Sequence, residues 1–292
     1  MNEPLIIGIS SRALFDLDQS HQLFEQKGLE SYEAYQREHE DVPLPPGPAF
    51  NLVRKFLALN EMSKQPLVEI FLLSRNTVDT GLRIFNSVQH HNLNITRAVF
   101  SGGVSPYIYA KAFGAHLYLS MNPTDVAQAI SMGCAAGRLW PSVIDRPFEK
   151  ELRIAFDGDS VLFSDEAQRI YTEQGMQHFN ANERAKAHLP LQEGPFKRLL
   201  AALHQLQKLG ATQIRTALIT ARSAPAHERV IHTLRQWEIS VDEVFFLGGN
   251  CKTDFLTAFD ADIFFDDHPD NCEAAAGSVT TAHVPYGVLN GG

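Results

Sequence analysis

The chain repeats itself. A shift of 147 positions lays the first half over the second, without a gap over most of its length. Ile7 falls on Ile154, Gly28 on Gly175 and Ala34 on Ala181. The segment Pro43, Leu44, Gly47, Pro48 falls on Pro190, Leu191, Gly194, Pro195, while Arg75 meets Arg222 and Gly102 meets Gly249. Matched turn residues and matched core periodicity together make this one domain written twice. At 292 residues the chain has room for two such copies and little more. The boundary is expected between Arg138 and Lys150, around Pro141 and Pro147, giving units at about 1–140 and 150–292.

Each copy alternates short apolar runs with longer amphipathic ones. Strands are predicted at Leu5–Ile9, Val68–Leu73, Ala98–Phe100, His116–Leu119, Leu152–Phe156, Thr216–Ile219, Glu243–Leu247 and Asp262–Phe265, each bounded by turn-forming residues. Helical spacing recurs over Ala49–Leu59, Pro195–Leu209 and Ala224–Trp237. Strands alternating with helices of this length build βαβ units, so the class is α/β with parallel sheets.

Composition removes several function classes. With 44% apolar and 20% charged residues, the chain is neither disordered, collagen-like nor a coiled coil. A net charge of −9 excludes a general binder of nucleic acid polymers or a polybasic membrane-surface protein. Nothing approaches the ~18 consecutive apolar residues of a membrane helix, and the apolar start is too short for a signal peptide. Cys134, Cys251 and Cys272 lie far apart with no CxxC pair, which fits a reducing, cytoplasmic setting.

Candidate chemistry sits at predicted strand ends in the second half. Ile154-Ala155-Phe156 runs into Asp157-Gly158-Asp159; Thr216–Ile219 runs into Thr220-Ala221-Arg222-Ser223; Asp262–Phe265 runs into Asp266-Asp267. Asp-Gly-Asp alone is a common turn, and Val161, Leu162 and Gln168 exclude a calcium loop. In a parallel sheet, however, all these residues converge on one rim beyond the strand ends. Four clustered carboxylates repel unless a cation neutralises them, and hard oxygen ligands suit Mg²⁺. Lys252 could supply a fixed positive charge to a phosphate held there.

Asp157-Gly158-Asp159, Thr220, Lys252 and Asp266-Asp267, in that order, resemble the four motifs of the haloacid dehalogenase superfamily of phosphohydrolases. More narrowly, the chain resembles the cytosolic 5′-nucleotidase type I family. The stretches that carry this are Ile9–Phe15, Pro46–Phe50, Ala155–Glu166, Thr220–Ser223, Phe264–Asp267 and Ala282–Val288. The resemblance implies two tandem Rossmann-like domains of haloacid-dehalogenase type, the second catalytic with a small helical cap at about 165–212 and the first degenerate. It implies Mg²⁺-dependent hydrolysis of a nucleoside 5′-monophosphate, AMP-like or deoxy, to nucleoside and phosphate.

In that scheme Asp157 is the nucleophile that forms an aspartyl-phosphate. Asp159 is the general acid/base, with a pKa expected above that of Asp157. The metal is held by Asp157, the Asp159 carbonyl, and Asp266 or Asp267. Thr220, the Ala221 N–H and Lys252 bind phosphoryl oxygens. Arg222 and Ser223 are candidates for touching phosphate or ribose. Phe163, Tyr171 and Phe179 are candidates for stacking on a base, or else core aromatics. Glu30–Asp41 and Glu183–His188 read as charge-rich, solvated cap helices.

The repeat then places Ser10 at Asp157, Arg12 at Asp159, Leu73 at Thr220, Ser105 at Lys252, and Leu119 and Ser120 at Asp266 and Asp267. The first copy is therefore chemically dead. It either packs only, shapes the substrate pocket, or binds a nucleotide effector such as ADP, ATP or GTP. Two other functions compete with the leading one: a phosphatase for another small ester such as a sugar phosphate, and a nucleotide-binding regulatory protein with little turnover. A homo-oligomer is left open.

Overall fold

A computed structural model describes residues 3–142, 144 and 146–291. The chain divides into two compact units, Met1–Lys150 and Glu151–Gly292. Two positions of the expected boundary, 143 and 145, lie outside the described residues.

In chain order the first unit contains β1 (Leu5–Ile9), α1 (Ser11–Leu14), α2 (Asp18–Glu38), α3 (Phe50–Ala58), β2 (Val68–Ser74) and α4 (Gly81–His90). It continues with β3 (Arg97–Phe100), α5 (Tyr107–Ala112), β4 (Leu117–Ser120), α6 (Pro123–Ser131) and β5 (Ala136–Leu139). The second contains β6 (Leu152–Phe156), α7 (Glu166–Ala185), α8 (Lys197–Lys208), β7 (Ile214–Thr220) and α9 (His227–Gln236). Then come β8 (Glu243–Phe246), α10 (Thr253–Phe259), β9 (Ile263–Asp266), α11 (Pro269–Ala275) and β10 (Thr281–His283). Sequence reasoning missed β5 and β10, whose three or four residues are too short for a period to show.

Strand order is β3-β2-β1-β4-β5 in the first unit and β8-β7-β6-β9-β10 in the second. The resolved pairings in each unit are all parallel. This is a doubly wound arrangement in which strand order reverses beside the first strand of each unit, and that reversal opens a crevice at the carboxyl ends. In the second unit the crevice lies beside β6, so the residues just past β6 and β9 face it.

Both sheet faces are apolar because both are covered, which is why these strands read as near-continuous apolar runs. On one face of the second sheet Ala155, Ala217, Ile219 and Phe264 pack with Leu256, Phe259 and Val279. Phe156, Phe196 and Phe265 meet on the other, with ring centroids 4.7–6.3 Å apart. α8 belongs to this core: Leu199, Leu200 and Leu203 are fully buried. The expected cap at 165–212 is thereby corrected, since α8 is an ordinary crossover helix and α7 alone is largely exposed.

The gapless register also needs correction. β1 and β6 correspond at a shift of 147, but β2 pairs with β1 as β7 pairs with β6 only at a shift of 146. One residue is gained before β2 in the first unit, in the surface connection where an insertion costs least. Beyond it, Gly102 and Gly103 (φ +57 and +90) match Gly248 and Gly249 (+60 and +89). The true counterpart of Thr220 is therefore Ser74 and not Leu73. Lys252 corresponds to Pro106, and Asp266 and Asp267 correspond to Ser120 and Met121. Buried bonds repeat in this register. The Leu44 N–H donates to Ser87 Oγ and the Leu191 N–H to Thr233 Oγ1, both at 2.9 Å. Arg83 Nε donates to the Val42 carbonyl and Arg229 Nε to the Leu189 carbonyl, both at 3.0 Å.

Candidate active site

The crevice beside β6 gathers the carboxylates. Asp157 directly follows β6, Asp266 ends the adjacent β9, and Asp267 comes next. Oxygens of all three lie within 4.8 Å of one another and all three residues are buried. Lys252, the residue before α10, reaches between them: its Nζ is 2.8 Å from Asp157 Oδ1 and 2.6 Å from Asp266 Oδ2. Thr220 ends β7 and accepts the Arg222 N–H at 3.2 Å, which leaves its hydroxyl proton to donate. A Cβ at Gly158 would sit 3.2 Å from Thr220 Oγ1, so any larger residue there would push Thr220 by a few tenths of an ångström.

Asp266 and Asp267 differ. Asp266 also accepts the His268 N–H at 2.8 Å and the Asn271 amide at 3.0 and 3.1 Å. Asp267 keeps a buried Oδ2 with no partner. Burial pushes the Asp157 carboxyl up to about 7, with Lys252 pulling it down and Asp266 adding to the rise. Burial pushes Asp267 up to about 9, and Asp157 and Asp266 add to it. For Lys252, burial opposes the charge, but Asp157 and Asp266 outweigh it and its pKa is raised.

One ammonium thus faces three buried carboxylates, one of them with an unpartnered oxygen. Such an all-oxygen, net-negative set fits a hard divalent cation. A consequence can be measured without turnover. Without metal, Asp157 and Asp267 hold protons that the unfolded chain releases near pH 4, so stability falls as pH rises from about 4 through 7 and 9. Saturating Mg²⁺ should therefore raise Tm by about 5 °C or more at pH 9. At pH 5.5, where protons compete, the gain should be much smaller. Equal gains at both pH values would contradict this charge assignment.

Asp159 is held from the other side. Arg222 Nε and Nη2 donate to its two oxygens at 2.8 and 2.7 Å. Arg222 Nη1 donates to Glu183 Oε2 on α7 at 2.5 Å, and Arg229 Nη1 donates to Glu183 Oε1 at 2.8 Å. The chain of charges ends at Glu166, which accepts Lys186 Nζ at 2.7 Å. Burial works against the Arg222 charge, but Asp159 and Glu183 outweigh it and the guanidinium is held more firmly protonated. Glu183 was expected on a solvated helix face; its side chain is 0% exposed. Sequence reasoning missed Glu183 and Arg229. The repeat carried a signal, since Gln36 and Arg83 hold the same places and bond at 3.0 Å.

The remaining candidates separate. Ala221 and Ser223 are exposed at the end of β7. Phe163 is fully buried against Trp237 and is a core residue, which removes it as a base-stacking surface. Phe179 lies under the Arg222 guanidinium at 5.5 Å, and the exposed Tyr171 meets it edge-on. Among the described residues a second ligand-type group, His188, Glu228 and His232, sits at the surface.

Known proteins are similar to this chain over most of its length. A family model described as 5′-nucleotidase matches residues 1–291. Human "Cytosolic 5′-nucleotidase 1B" is 38% identical over 286 residues, covering 93% of this chain and 47% of that protein. The chain thus spans about half the length of that relative. Among solved structures, histidinol dehydrogenase from Elizabethkingia anophelis aligns over 96% of this chain and 53% of that one. At a TM-score of 0.25 and 11% identity, the likeness is too slight to define a shared fold. A match over residues 1–291, with 38% identity to a curated member, makes this chain a member of the 5′-nucleotidase family.

Proposed function

We propose that the second unit hydrolyses nucleoside 5′-monophosphates through a phosphoryl group carried on Asp157, in a haloacid-dehalogenase-type site with α7 as its cap. The observation that carries this reading is the buried group of Asp157, Asp266 and Asp267 bridged by Lys252. Asp157, the Asp159 carbonyl and Asp267 would hold Mg²⁺, which when bound neutralises charge on the phosphoryl oxygens and orients them. Asp267 is preferred over Asp266 because its Oδ2 is free, while Asp266 is occupied by Lys252 and Asn271.

Lys252 holds Asp157 by one oxygen and so fixes which lone pair is presented to phosphorus. The Thr220 hydroxyl, the Ala221 N–H and Lys252 take the equatorial oxygens, where charge is greatest in the transition state. Asp159 gives its proton to the departing 5′-oxygen, then removes one from the water that attacks the phosphoryl-aspartate. In the resting site Arg222 grips both Asp159 oxygens and ties them to α7 through Glu183, so one of these bonds must open for that oxygen to carry the proton. Phe179 and Tyr171 stand on that helix as candidate surfaces for the base. The setting is proposed as cytoplasmic, in line with the human relative's name; among the described residues no helix is long and apolar enough to cross a membrane.

The test is a panel of nucleoside 5′-monophosphates and sugar phosphates with Mg²⁺, read as phosphate release. Nucleotides are expected to lead in kcat/KM by about 100-fold or more. A sugar phosphate ahead by that margin would replace the reading with a general phosphatase, and binding without turnover would replace it with a regulatory protein.

A further inference from the structure

The first unit contains a cavity of about 520 Å³, a size that holds a small organic ligand. It opens at the carboxyl ends of β1, β2 and β4, the position that the carboxylate group occupies in the second unit. Its chemistry is inverted. Ser10 stands where Asp157 stands, Arg12 where Asp159 stands, and Ser120 and Met121 where Asp266 and Asp267 stand. The carboxylate that does line it, Asp125, is neutralised: Arg75 clasps it at 2.5 and 3.1 Å, and Ser105 donates to it as well. The three carboxylates that would hold a divalent cation are gone.

Donors have taken their place, and two of them lack acceptors. In the second unit Asp159 and Arg222 satisfy each other. Their counterparts are Arg12 and Asn76, and the acceptor oxygen of Asn76 takes the Tyr32 hydroxyl instead of Arg12. Arg12 Nε and Asn76 Nδ2 are buried with no partner, and both residues line the cavity. The Tyr32 hydroxyl donates to Asn76 Oδ1 at 3.1 Å, which orients the amide so that its Nδ2 is the end left over. A buried donor left unpaired is destabilising, so the site lacks an acceptor group. The opposite wall is apolar: Leu17, Phe24 and Leu29 line it, with Phe24 and Leu29 still 44% and 50% exposed.

We infer that this cavity is a metal-independent binding site for a nucleoside phosphate, with the phosphate on Ser10, Arg12 and Asn76 and the base against Phe24 and Leu29. Arg12 already holds Asp18 through Nη2 at 3.0 Å, an exposed contact that leaves Nε for the ligand. The inference stands apart from the hydrolytic reading, because binding here needs neither Mg²⁺ nor turnover.

AMP binding to the full chain in EDTA, measured by calorimetry, is the test. Chelation removes the cation that would hold a phosphate in the second unit, and the variants and label below assign the binding that survives EDTA to one unit or the other. Ser10→Asp keeps the α1 cap on the Ala13 N–H, since Asp caps as well as Ser, but sets a carboxylate against the phosphate. It is expected to weaken binding at least 10-fold, and Arg12→Ala to do the same, with unchanged melting. Photolabelling with 8-azido-AMP in EDTA should mark α2. No binding in EDTA, label confined to residues 157–267, or full affinity in folded Ser10→Asp would each overturn the site.

Discussion

Asp157→Asn is expected to lower kcat for AMP by ~10⁴-fold or more while making the metal-free protein more stable. The loss follows from chemistry: the amide oxygen is a poor nucleophile, and removing a residue that forms the covalent intermediate leaves only binding and positioning. The gain follows from the same carboxylate's surroundings. Burial has pushed Asp157 up to about 7, so at pH 8 its ionisation works against folding, and Asn removes that opposition together with its repulsion of Asp266 and Asp267. Kinetics and metal-free thermal melts should therefore move in opposite directions. An inactive variant that also melted lower would show Asp157 to be a structural anchor for Lys252.

Glu183→Gln is expected to cost about 3–5 kcal/mol, or roughly 10 °C in Tm, because it strands two buried guanidinium groups with one carboxylate fewer. Arg222 and Arg229 are 2% and 3% exposed, so water cannot replace the lost charge. The first unit shows how the same position survives without it. There Gln36 bonds Arg83, and Asn76 replaces Arg222. The double variant Glu183→Gln/Arg222→Asn reproduces that arrangement and should regain most of the stability. Its activity should stay down by ~10²-fold, since Asp159 loses the group that positions it. A double variant as unstable as the single would mean that the two units hold this helix by different means. Circular-dichroism melts and steady-state rates separate the outcomes.

The α/β class was legible because strands buried on both faces leave near-continuous apolar runs, as Leu152–Phe156 does. The motif residues were legible because parallel strands deliver their carboxyl-terminal residues to one rim; Asp157, Thr220 and Asp266 each sit at such an end. Elements whose meaning depends on a partner far away in sequence were not. Glu183 has the local pattern of a solvated helix, and only Arg222 and Arg229 make it a buried anion. Phe163 comes soon after the nucleophile motif and so reads as a site residue, yet Trp237 closes over it. Pro195–Leu209 lies a long way beyond Asp159 and reads as part of a cap, whereas Phe156 and Phe265 draw its start into the core.

The reading of two copies rests on sequence alone: glycines, prolines and core periodicity recur at a near-constant shift whether or not the units are seen in space. The absence of the four motif carboxylates from the first copy followed from it, and a one-residue error in register did not alter that conclusion. Tertiary structure decided the register, because hydrogen-bonded strand pairing fixes which residues are equivalent, whereas a gapless overlay cannot detect an insertion between β1 and β2. It also decided which of two adjacent aspartates has a free oxygen, and that Arg12 and Asn76 were left without acceptors. Those are properties of a side chain's surroundings, and the surroundings exist only once distant strands have paired.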